Sequence, residues 1–181
     1  MIKAGSENTD EILMISRKEA INRGISHIVL ASTYGDTALK AIDIIKDEKI
    51  KLIIVTHNTG FSKEGVQQFS LEIKKKIEDL GGIVYTGTMV LRGIGKAIKL
   101  NMGYSQEEIV ANTLRMFGQG IKVCVEIVAM AADAGLIPFD DVIAIAGTER
   151  GADTLAVIKA NSSNHFFDIK IREIIKKPSH F

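Results

Sequence analysis

The sequence has one cysteine, Cys124, and no tryptophan. A single cysteine excludes an internal disulfide framework and fits a reducing compartment. Three tyrosines and seven phenylalanines give no sign of a base-stacking platform. An excess of charge is also missing. The 23 basic and 22 acidic side chains leave +1, which exerts no general pull toward nucleic acid or an anionic membrane. No apolar run reaches the length of a membrane span, and residues 123–134 are interrupted by Glu126 and Asp133. The N-terminus, MIKAGSENTDE, holds no apolar signal core. The expectation is a cytoplasmic protein forming one domain over residues 1–181, with neither nucleic acid nor membrane as partner.

Several catalytic signatures are missing as well. Gly95-Lys96 is followed by Ala97, so there is no phosphate loop of the G-x-x-x-x-G-K-[ST] type. Gly93-x-Gly95 and Gly118-x-Gly120 lack the third glycine of a dinucleotide fingerprint. No G-x-S-x-G elbow occurs. The four histidines and the cysteine show no zinc spacing, so no metal site is expected. No catalytic residue can be named, and whether the protein is an enzyme stays open.

What is present is an alternation of apolar strands with amphipathic helices. Thr9-Asp10-Glu11 opens a helix that Gly24 stops. Residues 27–31, 50–56, 83–86, 141–146 and 155–160 read as strands. Between them lie helical segments after Asp36, from about Ser70, over 89–100, from the capping box Ser105–Glu108 to about Phe117, and over 121–134. Residues 169–177 read as an edge strand or a short helix. This order gives an α/β fold with a mostly parallel sheet of about five strands. The last two strand candidates have no helix between them, which points to antiparallel pairing there.

In such sheets ligands sit outside the carboxyl ends of the strands. Four polar loops follow strand candidates: residues 32–37, 56–61, 86–88 and 147–154. The first carries Ser32, Thr33, Tyr34, Gly35, Asp36 and Thr37 just before a helix. Hydroxyls, a glycine and fresh helix N–H groups suit an oxyanion. The same residue types equally suit a helix N-cap with nothing bound. Arg150 adds a cation fitted to phosphate, or else a surface arginine paired with Asp153 or Glu149. On the apolar helix, Lys122, Glu126 and Asp133 share a face. They read as a Lys122–Glu126 ion pair with Asp133 near the helix end, or as Glu126 facing a ligand pocket or subunit interface. Cys124 lies on another face and reads as core.

The loop STYGDTA resembles the T-x-S-G-x-[ST]-A phosphate loop in the C-terminal domain of pyruvate kinase. More closely, VTHNTGF, FGQGIKVCVEIVAMAADAGLIP, GTERGADTLAVI and NHFFDIKIREI resemble a family of small stand-alone prokaryotic, largely archaeal, proteins with that domain's fold. The resemblance implies a three-layer α/β/α architecture. It also implies flavin mononucleotide (FMN) as a bound cofactor, with no reaction established. Carried over, the flavin phosphate meets Ser32, Thr33, Gly35, Asp36 and Thr37, with Tyr34 available to pack on a flat ring. Thr56, Asn58, Gly60 and Phe61 lie close by, and Thr148, Arg150, Gly151, Ala152, Asp153 and Thr154 complete the site. Tyr34 and Asp36 stand where pyruvate kinases commonly have Ser and a basic residue, which disfavours a bisphosphate. The leading expectation is a flavoprotein of unknown activity whose partner is a small phosphorylated ligand or flavin, with a flavin-dependent oxidoreductase as one form of it. The alternative is a non-catalytic domain that senses a phosphorylated metabolite. The apolar helix 121–134 leaves a homo-oligomer open.

Overall fold

The apolar segments become strands β1 (His27–Ala31), β2 (Lys51–Val55), β3 (Ile83–Tyr85), β4 (Asp141–Ala146), β5 (Thr154–Lys159) and β6 (Lys170–Lys176). These come from a computed structural model that describes residues 3–45, 47 and 49–180. The six strands form one sheet in the order β3-β2-β1-β4-β5-β6. β1 pairs in parallel with β2 on one side and β4 on the other, and β2 with β3. β4–β5 and β5–β6 are antiparallel. The sheet therefore has one strand more than the sequence suggested. Residues 170–176 form its edge strand, with register shifts against β5.

Among the described residues, six α-helices flank the sheet: α1 (Thr9–Arg23), α2 (Asp36–Ile44), α3 (Leu71–Asp79), α4 (Gly93–Met102), α5 (Gln106–Arg115) and α6 (Gln119–Asp133). Strand side chains alternate between faces, so the central strands feed two core layers. Ile28, Leu30, Ile54 and Ile143 pack with Ile12, Leu13, Ala38 and Ile77 from α1, α2 and α3. Val29, Ile53, Ala144 and Ile158 pack with Ile121, Cys124, Val125 and Val128 of α6. Both faces of the parallel strands are covered, which explains their continuous apolar runs.

Helix starts follow local chemistry where a cap is present. Ser70 Oγ accepts from Ile73 N–H at 3.1 Å and opens α3; Ser105 Oγ accepts from Glu108 N–H at 3.2 Å and opens α5. The Glu108 carboxylate pairs with Lys99 and Arg115, at 3.3 Å each. The segment expected to be helical from residue 89 instead turns first and enters α4 at Gly93. The cause is tertiary: Leu91 N–H donates to Glu126 Oε1 at 2.8 Å, and Met89 and Leu91 turn inward. α6 begins at Gln119, earlier than its apolar stretch. Its apolar side chains are buried within the chain except Val123, which is partly exposed. Large exposed apolar side chains lie on α4 and α5 instead, including Ile94, Leu100, Met102 and Ile109. No helix among the described residues is long and apolar enough to cross a membrane.

Lys122 and Glu126, one turn apart on α6, form a buried ion pair. Removing one partner from such a pair leaves an uncompensated interior charge, at a cost of about 3–5 kcal/mol. Glu126→Ala is therefore expected to lose about 3–5 kcal/mol in chemical denaturation, since it strands both Lys122 and the Leu91 N–H. The double variant Lys122→Met/Glu126→Gln keeps an acceptor for Leu91 without the charges and is expected to regain most of that loss. Equal losses in both proteins would contradict the assignment.

Candidate functional site

A cleft of about 230 Å³ opens at the carboxyl ends of β1, β2 and β4. Its position follows from topology. The chain leaves β1 toward β2 on one side and later returns to β4 on the other, so the loops after β1 and β4 diverge there. That is the switch point at which open α/β sheets bind ligands. The loop after β1, the loop after β4 and the start of α6 form the walls.

Ser32, Thr33, Tyr34, Asp36, Thr37, Phe61, Thr148, Arg150 and Gly151 all line this cleft. Thr56 lines a smaller chamber of about 90 Å³ that adjoins it and shares Ser32, Thr33, His57, Phe61 and Gln119 with it. Gly35 belongs to the first loop but works from behind. Its φ is +96°, and a Cβ there would come within 2.5 Å of Ile73 Cγ2 on α3. It fixes the turn against the neighbouring helix.

The other expected residues lie elsewhere. Asn58 faces a separate groove shared with residues 86–88, because β3 sits beyond β2 at the sheet edge. The third polar loop, 86–88, stays with it. Gly60 takes a positive φ of 85° in a turn closed by its N–H on Val66 O at 3.0 Å. Ala152, Asp153 and Thr154 are buried beneath the loop. Asp153 Oδ2 accepts from Gly5 N–H at 3.2 Å and Thr148 N–H at 3.1 Å, while Oδ1 accepts from the Thr154 hydroxyl at 2.7 Å. These three residues hold the loop up and do not line the cleft.

The hydroxyl N-cap reading of the first loop does not hold. The residue before α2 is Gly35, with no side-chain cap, and Ser32 Oγ accepts from Gly35 N–H at 3.2 Å within the turn. α6, the other helix starting at the cleft, follows Gly118 and also lacks a side-chain cap. An α-helix leaves its first N–H groups without intrahelical partners, and its N-terminus carries partial positive charge. Two uncapped N-termini thus meet one cleft. Thr148 Oγ1, on the opposite wall, is buried and has no hydrogen-bond partner among the described residues.

Arg150 pairs with neither Asp153 nor Glu149. Its guanidinium reaches across the mouth to Asp36 Oδ2 at 3.0 Å and lies 4.9 Å from the centre of the Tyr34 ring. Tyr34 is fixed at its far end by Gln68 Nε2, which donates to the phenol oxygen at 3.0 Å. Deeper in, His57 and Phe61 stack with centroids 3.6 Å apart, and Arg92 lies 4.2 Å over the Phe61 ring.

Sequence reasoning did not single out His57, Gln119, Val123 and Glu149 in the cleft, nor Arg92 and Arg115 in the chamber. The Gly-Gln-Gly break before an apolar helix was a usable signal for Gln119, since it marks a helix start. Nothing local marked the arginines. Glu126 pairs with Lys122, as the first of its sequence readings has it, and it lines the chamber. Cys124 is fully buried, and burial pushes its thiol well above the ordinary range, so it is core and not a nucleophile.

The family model of the pyruvate kinase alpha/beta domain matches residues 10–158. Among solved structures, one pyruvate kinase of Cryptosporidium parvum aligns at 15% identity and a TM-score of 0.45, covering 84% of this chain and 22% of that one. A second structure of pyruvate kinase from the same organism aligns at 14% identity and 0.44, covering 89% and 24%. The chain therefore spans less than a quarter of those pyruvate kinases.

The His57 pKa is lowered from 6.5, chiefly by burial, with Arg92 and Lys122 acting the same way against the opposing effects of Gln68 and Glu126. Above pH 6.5 the ring is neutral folded or unfolded and contributes nothing to pH dependence. As pH falls through that value the unfolded chain takes up the proton first, so the native state loses stability until its own lower pKa is reached. His57→Gln is expected to flatten the fall in Tm below pH 6.5. His27, also lowered by burial, is common to both proteins. An unchanged slope would contradict the assignment.

Proposed function

Since the chain belongs to the pyruvate kinase alpha/beta domain family, we propose that its cleft binds a ligand through a single phosphate, and that this ligand is FMN. The observation that carries the reading is that two helix N-termini without side-chain caps, those of α2 and α6, meet at one cleft. Those N-termini present N–H groups without intrahelical partners and carry partial positive charge, which suits a phosphate oxygen. Thr33, Thr37 and the first N–H groups of α2 surround the same space.

Arg150 is the exposed cation at the mouth of the site. Its pair with Asp36 is exposed, and such pairs contribute little to stability. A phosphate can therefore draw the guanidinium inward at small cost. Asp36 remains beside it and opposes a second phosphate, which favours a mononucleotide over a bisphosphate. The stacked His57–Phe61 pair and Val123 offer a flat apolar wall for a ring system. A bound flavin supplies the electron-transfer chemistry, while the chain holds and orients it.

The test is the visible spectrum of the purified protein, with cofactor released by acid identified against flavin standards, followed by titration of the apoprotein. Bound FMN is expected. Arg150→Ala is expected to weaken it by about tenfold to a hundredfold, the range of a charge-assisted hydrogen bond. A colourless protein that takes up no added flavin would overturn the flavin assignment. Thermal stabilisation by a colourless phosphorylated metabolite would then favour a sensing domain.

A further inference from the structure

The chamber behind the cleft has a composition that the phosphate reading does not use. Three cations, Arg92, Arg115 and Lys122, line it with one acid, Glu126. The acid is fully engaged: Oε1 accepts from Leu91 N–H and Oε2 from Lys122. Arg115 is engaged too, by Gln119 at 2.8 Å, Asn112 at 2.7 Å and Glu108 at 3.3 Å. Arg92 is not. It is partly buried and lies over Phe61, yet its guanidinium donates to no acceptor among the described residues. Lys122, at 4% exposure, spends one of its three donors on Glu126 and faces the same space.

A guanidinium with five free N–H donors in a partly dehydrated chamber calls for an anion. We propose that the chamber binds a small carboxylate, held in a fork by Arg92 with Lys122 beside it. The planar, two-oxygen carboxylate matches the guanidinium fork in a way a spherical anion does not. The chamber volume of about 90 Å³ is close to the share of about three water molecules. That suits an acid of roughly two to three carbons and excludes a sugar phosphate or nucleoside. Met89, Ile127 and Met130 supply apolar walls for its carbon end. The chamber opens onto the His57–Phe61 stack, so its occupant lies next to whatever fills the cleft. The proposal does not depend on what that is.

The test is titration of the ligand-free protein with acetate, propionate and lactate at constant ionic strength, followed through the Arg92 side-chain and Leu91 amide NMR signals. Chloride and inorganic phosphate serve as comparison anions. Saturable shifts with the carboxylates and none with chloride are expected. Arg92→Gln is expected to weaken carboxylate binding by about tenfold or more and to leave phosphate binding at residues 32–37 unchanged. Arg150→Ala is expected to do the reverse, which separates failure of this site from failure of the cleft. Arg92→Lys keeps the charge and loses the fork, so it is expected to bind carboxylate more weakly than the parent protein. No saturable carboxylate binding, full binding by Arg92→Gln, or phosphate displacing carboxylate at Arg92 would each overturn the proposal.

Discussion

The buried carboxylate of Glu126 ties α6 to the turn that precedes α4. One oxygen neutralises Lys122 inside α6, and the other receives the Leu91 N–H at 2.8 Å. The second bond stops the chain from running straight into a helix at residue 89. It turns residues 89–92 inward and sets Arg92 above Phe61, which in turn stacks on His57. The place of Met89 and Arg92 in the chamber wall follows from that bond. Burial of the carboxylate is costly unless both oxygens are satisfied, and here they are.

The outer wall rests on a second buried carboxylate. Asp153 gathers Gly5, Thr148 and Thr154, and Thr9 Oγ1 accepts from Ala152 N–H at 3.0 Å. The loop after β4 is thus pinned to the start of the chain, with its lower residues buried and Thr148, Glu149 and Arg150 turned to the cleft. Asp153 and Glu126 act alike. Each is an interior acid that spends its oxygens on backbone N–H groups and neighbouring side chains, and each presents a different set of residues to the same open space.

Much of this was legible in the sequence. Strands β1, β2 and β4 appear as β-branched runs between polar loops, because strands buried on both faces need apolar residues throughout. Ser70 and Ser105 announce their helices by local hydrogen bonding alone. The residues of the first loop lie where the strand-loop-helix pattern puts them, since the position depends only on the chain next to it. What was not legible depends on distant partners. Arg92 and Arg115 reach the chamber through the packing of α4 and α5 near α6, which no local pattern encodes. Asn58 is lost to the cleft because β3 pairs outside β2. Asp153 looks like a polar loop residue until the folded chain brings Gly5 to it. Residues 170–176 suit either a strand or a helix by pattern and are decided by the free edge of β5.

Both inner acids serve a cleft at the β1–β4 switch point that is proposed to hold a phosphate ligand. The most direct measurement is a backbone amide NMR titration of the ligand-free protein with FMN. Saturable shifts are expected at residues 32–37, at the start of α6 and at 147–151, with the groove around Asn58 unaffected. Shifts confined to another surface, or none at saturating ligand, would contradict that proposal.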